Sequence, residues 1–181
     1  MQFTKTEIEG AWLITPRVIG DNRGYFFESF RAEEFAENIG PITFVQENQS
    51  LSSRGVIRGL HFQKGKAAQG KLISVAFGAV RDVIVDLRKE SPTYGRWQSF
   101  DLSDENHHQL YIPRGCAHGF ATLSDTAVIQ YKCDNYYSPE AEAGLMWSDA
   151  TLDIDWGIEP DKATISAKDQ KWPSWQECYK F

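Results

Sequence analysis

Between residues 43 and 134 the chain is a succession of short apolar runs with almost no helical periodicity between them, and this restricts the fold most. The runs are Thr43–Gln49, Val56–Gln63, Lys71–Phe77, Val80–Leu87, Trp97–Leu102, Leu110–Ile112, His118–Leu123 and Val128–Asp134, parted by Gly, Pro, Asn, Asp and Ser. Runs of this length, recurring about every ten residues, pair side by side as antiparallel strands. A sheet must cover its apolar face with another layer, so the expected class is all-β, a sandwich or barrel. Phe77-Gly78-Ala79-Val80 and Pro113-Arg114-Gly115 read as tight corners.

The flanks add little helix. Residues 3–14 alternate loosely, Asp21-Asn22-Arg23-Gly24 is a turn signal, and Tyr25–Phe30 reads as an aromatic strand. One short helix is predicted over 32–39, where Phe35 and Ile39 stand four apart, acids crowd the start and Gly40-Pro41 stops it. After Ser138 the pattern breaks, and Trp147, Trp156, Trp172 and Trp175 predict an irregular tail packed back onto the barrel. No linker, repeat or charge block intervenes, so residues 1–181 are expected to form a single domain.

With 41% hydrophobic residues the chain can fill a core. Its net charge of −6 argues against a nucleic-acid partner, though a few local cations suffice for one diphosphate. Cys116, Cys133 and Cys178 match no zinc or disulfide spacing and read as reduced, cytoplasmic thiols. No signal peptide opens the sequence, and no apolar run approaches the ~18 residues of a membrane span.

The chemistry-bearing stretch is Arg58-Gly59-Leu60-His61-Phe62-Gln63. A histidine inside an apolar strand needs a partner or a reaction to offset its desolvation. The bland reading, a satisfied structural histidine, is the commoner one for a lone residue. His118 sits in a similar run, whereas His107 and His108 lie beside Asp104-Glu105-Asn106 and read as solvated surface. Two inward histidines also suit a metal, but no His-x-His or Glu-x-x-His accompanies them. Gln46 and Asn48 on one strand face, Lys71 opening a strand and Tyr131 between Ile129 and Cys133 together favour a polar-lined cavity over a solid core.

Ordered motifs then bring in a resemblance. Asp21–Glu28, Gln46–Ser50, Arg58–Gln63, Gln69–Leu72, Asp82–Arg88, Ser91–Gly95, Ile112–Phe120 and Asn135–Pro139 follow one another as in the dTDP-4-dehydrorhamnose 3,5-epimerase family, which this chain resembles over roughly residues 20–170. The resemblance implies a cupin-type jelly roll with a few short peripheral helices. It implies a homodimer that uses no metal or other cofactor. The implied substrate is dTDP-4-dehydro-6-deoxy-D-glucose, inverted at carbons 3 and 5 by proton abstraction beside the ketone and reprotonation on the other face. A mono-epimerase of a related sugar is the alternative, and a metal-dependent cupin or a jelly-roll sugar-binding module are more distant ones.

By motif position His61 matches the base, Asp169 the carboxylate that orients it, Tyr131 the acid on the opposite face, and Lys71 the cation for the enolate oxygen, with His118 nearby. Arg23, Arg58 and Lys168 match diphosphate or sugar contacts. Glu28, Gln46, Asn48 and Glu142 match polar contacts to base and sugar, and Tyr137 the ring stacked on thymine. One conflict stands out. Strict alternation puts Arg58 and His61 on opposite faces, while the resemblance places both at the substrate, so a bulge or bend is expected at Gly59.

Overall fold

The computed structural model describes residues 1–181. Its strands are β1 (Gln2–Lys5), β2 (Trp12–Thr15), β3 (Ile19–Asp21), β4 (Gly24–Phe26), β5 (Gln46–Ser53), β6 (Val56–Gln63), β7 (Lys71–Phe77), β8 (Ala79–Asp86), β9 (Trp97–Ser103), β10 (Gln109–Ile112), β11 (Cys116–Thr122), β12 (Thr126–Cys133), β13 (Glu142–Gly144) and β14 (Thr164–Ile165). One sheet runs β1-β2-β10-β7-β12-β5, and a second runs β13-β6-β11-β8-β9 with β14 added alongside β6. The chain crosses between sheets at β5 to β6, β6 to β7, β7 to β8, β9 to β10, β10 to β11, β11 to β12 and β12 to β13. This interleaving is the jelly-roll arrangement that the resemblance implies, within the sandwich-or-barrel class expected from the strand spacing.

Alternation divides each strand between two environments. Ile73, Val75 and Ile129 of the first sheet meet Val80, Ile84 and Phe120 of the second in the space between them. Leu60, Phe62, Val83, Val85 and Ala117 face outward from the second sheet and are covered by Leu145, Leu152, Trp156 and Cys178 of the tail. The irregular tail thus packs back as predicted, with Trp147 and Trp175 at the same cluster. No helix is long and apolar enough to cross a membrane.

The single α-helix, α1 (Ala32–Asn38), carries Glu33 and Glu34 in its first turn, where its N-terminal N–H groups favour negative charge. Its one buried residue, Phe35, lies among Phe3, Phe30 and Phe44. That aromatic cluster corrects two predicted strands. Phe44 packs against the helix, so pairing begins only at Gln46 and runs on to Ser53. The Tyr25–Phe30 run pairs only as far as Phe26, and Phe30 leaves to join the cluster.

Candidate active site

At Gly59 the second sheet departs from alternation. His61 pairs with His118 across β6 and β11, yet Arg58 pairs with Phe120, so three steps on β6 match two on β11. Ile57 and Leu60, three apart, therefore both face the outer cluster, while Arg58 and His61, also three apart, both reach the interior cavity. The conflict over Arg58 is resolved by this bulge. Two glycines make it sterically possible: Gly59 has φ +137°, and a Cβ on it would fall 2.5 Å from the Cα of Gly119. A Cβ on Gly119 would in turn fall 2.8 Å from the Arg58 carbonyl oxygen.

The cavity holds about 520 Å³, and Arg58, His61, Lys71, His118, Tyr131, Lys168 and Asp169 line it together. A neighbouring lobe of about 270 Å³ shares His61, Lys71 and Tyr131 and adds Gln46, Asn48, Tyr137 and Glu142. Small, in-register side chains on β5 leave this room. Gln46 and Asn48 are opposite Cys133 and Tyr131 on β12, and the Gln46 amide donates to Asn48 Oδ1 at 3.1 Å.

His61 Nε2 donates to Asp169 Oδ1 at 2.6 Å. Asp169 is buried, which pushes its carboxyl pKa up, but the hydrogen bond and charge of His61, aided by the N–H groups of Gly59 and Trp172, more than offset this and hold it below the ordinary range. The result is an ionised carboxylate bound to one ring nitrogen of His61. On the opposite sheet, burial raises the Tyr131 phenol, Cys133 adding to the effect while Asn48 and Arg58 oppose it, so the phenol keeps its proton at neutral pH.

Burial lowers the Lys71 ammonium pKa despite the nearby Cys133 and Asp82. Its Nζ lies 5.9 Å from the centre of the Tyr131 ring. His118 Nε2 donates to the fully buried Asp82 Oδ2 at 2.8 Å, and burial lowers the histidine's pKa against the pull of that carboxylate. Each inward histidine therefore has its own aspartate. At the rim Lys168 pairs with Glu142 at 2.5 Å, and the Tyr137 hydroxyl donates to the same carboxylate at 2.9 Å.

Two of the sequence-predicted residues are not brought here. Arg23 sits in the exposed turn between β3 and β4, bound to Asp21 at 2.6 Å, and Glu28 pairs with Arg31 at 2.8 Å. Both belong to a hairpin and following loop that stand off the barrel. His107 is also placed differently from its reading as solvated surface. It is half-buried, with its ring 4.6 Å from Tyr25 and 4.8 Å from Phe27, because those aromatics need cover that the small hairpin does not supply.

Sequence reasoning passed over Asp82 and Cys133. For Asp82 a signal was present, an acid inside the otherwise apolar Val80–Leu87 run. For Cys133, beside Lys71 and Tyr131, none was: a buried cysteine is an ordinary core residue.

Chemically, the site sets an imidazole backed by a carboxylate, a protonated phenol and a buried lysine around one cavity, with cations and polar groups at its mouth. The sequence profile described as dTDP-4-dehydrorhamnose 3,5-epimerase matches residues 5–177. The dTDP-4-dehydrorhamnose 3,5-epimerase of Salmonella typhimurium is 51% identical over 174 residues, covering 96% of this chain and 94% of its own. The crystal structure of that enzyme from Elizabethkingia anophelis is similar at a TM-score of 0.94 and 48% identity, over 98% of this chain and 97% of the other. A Legionella pneumophila relative, solved in complex with dTDP-4-keto-L-rhamnose, is similar at a TM-score of 0.92 and 44% identity, over 97% and 93%.

Proposed function

This chain belongs to the dTDP-4-dehydrorhamnose 3,5-epimerase family, and from that premise we propose how its residues invert carbons 3 and 5 of dTDP-4-dehydro-6-deoxy-D-glucose to give dTDP-4-dehydro-L-rhamnose. The C4 ketone acidifies the hydrogens on both flanking carbons. His61 removes such a proton: with Nε2–H donated to Asp169, its other ring nitrogen is the basic one, and the carboxylate favours the imidazolium that forms. The electron pair left on carbon moves onto the ketone oxygen as an enolate, so the substrate's own carbonyl stores the charge. Tyr131 then returns a proton from the opposite face.

The step is uphill. An α-proton is roughly 12 pKa units less acidic than imidazolium, about 16 kcal/mol at ~1.4 kcal/mol per unit. A fixed cation in a site closed to water offsets much of such a gap. Lys71 takes that role, while His118, with its Nε2–H held by Asp82, offers its other ring nitrogen as an acceptor to a sugar hydroxyl. Arg58 and Lys168 hold the diphosphate, Gln46, Asn48 and Glu142 hold sugar and base, and Tyr137 stacks on thymine. Arg23 and Glu28 complete the nucleotide site from a second copy, so the working unit is a homodimer. Residues 1–181 act as one domain, and three unpaired cysteines suit a reducing cytoplasm.

One observation carries the assignment: His61, bound to its carboxylate, and Tyr131 line the same cavity from opposite sheets. The test is conversion of the dTDP-4-keto sugar in heavy water, followed by NMR. Deuterium is expected at both carbons, with His61→Asn inactive yet binding dTDP almost as tightly as the unmodified enzyme. Label at one carbon would instead identify a mono-epimerase, and nucleotide binding with no exchange a sugar-binding module.

A further inference from the structure

The tail tryptophans do not all serve the same purpose. Trp147, Trp156 and Trp175 pack at the outer face of the second sheet. Trp172 instead reaches the His61–Asp169 pair. Its indole Nε1–H donates to Asp169 Oδ1 at 3.2 Å, the same oxygen that accepts from His61 at 2.6 Å. Its ring stands edge-on to the imidazole, centroids 6.0 Å apart at 74°.

The seat for that ring is built into β13. Gly144 pairs directly with His61, and a Cβ on Gly144 would fall 2.3 to 2.5 Å from three indole atoms. The 3-10 turn Asp169–Lys171 sets Trp172 three residues after the carboxylate, so one turn delivers both acceptor and donor. The neighbouring Pro173 carbonyl accepts from the Met146 N–H at 2.8 Å and fastens the segment.

We propose that Trp172 is a positioning residue for the His61–Asp169 pair, its indole N–H fixing the carboxylate oxygen on which the imidazole turns and its ring closing that side of the pair to water. The proposal rests on the assignment of His61 as the base. With the Gly59 N–H on Oδ2 at a long 3.4 Å and His61 alone on Oδ1, the carboxylate keeps freedom about its terminal torsion, whereas a second donor on Oδ1 narrows it to one orientation. The imidazole then points its basic nitrogen in one direction, and reacting groups must be aligned closely for proton transfer. Gly144 is small because the indole occupies the space a side chain would take. The other charged groups around the pair are Lys168 on the same segment, 5.7 Å from the indole, and Glu142 on β13, to which Lys168 is joined. Arg58 and His118 flank His61 from β6 and β11.

The test is Trp172→Phe, which keeps a flat ring at the Gly144 seat while deleting the donor with part of the indole, assayed beside the unmodified enzyme and His61→Asn. The expected result is a kcat lower by about tenfold, KM within about twofold, and the acid limb of the kcat profile moved to higher pH by about half a unit. The sign follows from charge: with one donor gone, Oδ1 presents more negative charge to the imidazole, so the pair holds its proton, and stays inactive, to higher pH. Gly144→Ala, which displaces the indole without altering it, is expected to move the same limb in the same direction, and serves if Trp172→Phe folds poorly. An unchanged kcat and acid limb in a folded Trp172→Phe, or a KM raised tenfold at unaltered kcat, would overturn the proposal. Turnover retained by His61→Asn would overturn it together with the base assignment. An inactive His61→Asn beside an unaltered Trp172→Phe would sink the proposal alone.

Discussion

In the mechanism proposed above, Tyr131 carries the half of the reaction that decides its stereochemical outcome. The phenol is raised by burial and keeps its proton, which suits a donor and not a base. Its ring packs against the core between Ile129 and Cys133, so Tyr131→Phe keeps the packing and loses only the hydroxyl. In the proposed mechanism, proton removal by His61 does not need that hydroxyl, and return on the opposite face does. In heavy water the variant is expected to keep washing label into substrate while inverted product falls by about 100-fold or more, read as separate NMR signals. If exchange and inversion fell in parallel, the phenol would have to act in abstraction too. At this scale much was legible: His61, Lys71, His118, Tyr131 and Asp169 do line one cavity. Asp169 lies 108 positions from His61, so no local pattern linked the two, and motif order alone did. Trp172 and Asp82 escaped because a tail tryptophan and a strand acid each have commoner explanations in packing and solvation.

At the level of strands, the bulge between β6 and β11 decides which side chains face the cavity. Regular pairing would leave either Arg58 or His61 outside. The sequence showed that conflict, and a glycine to relieve it, but not the solution, because register depends on the strand opposite. Gly119, facing Gly59, is what lets the two backbones approach. Gly59→Ala places a Cβ 2.5 Å from the Gly119 Cα at φ +137°, a backbone region that L side chains rarely enter. The expected cost is on the order of 2–4 kcal/mol, overlap and backbone strain together. In urea this reads as a lower midpoint at an unchanged slope, accompanied by loss of turnover as Arg58 and His61 separate. A variant as stable and active as the parent would mean the bulge does not need glycine. Strand existence was read well for a related reason: period-2 patterns are local. Strand ends at 44 and 26 were missed, since the aromatic cluster around Phe35 that ends the pairing is assembled from distant segments.

For the molecule as a whole, the two sheets are finished unequally. The second is covered by the tail. The outer side of the first leaves Leu51, 62% exposed, in register with Val128 and Phe77, 57% exposed, while Ile19 and Phe26 of the β3–β4 hairpin stand at 58% and 70%. These exposed apolar side chains, set beside the polar pairs Lys132–Glu47 and Gln130–Gln49, are the kind of surface one copy can offer another. Arg23 and Glu28 ride on that hairpin and its following loop, away from their own cavity. If each hairpin serves the opposite subunit, the two lesions Arg23→Ala and His61→Asn belong to different halves of one composite site. Each homodimer is then nearly inactive, and neither chain can be rescued by itself. Mixed and re-equilibrated in equal amounts, half of the dimers become heterodimers. In these the intact His61 of one chain meets the intact Arg23 of the other, restoring about a quarter of the parent rate. Light scattering should give twice the 20.6 kDa chain mass throughout. A mixture no more active than its components, at dimer mass and with subunit exchange verified by a mass-tagged chain, would place Arg23 at its own subunit's cavity or outside the site altogether.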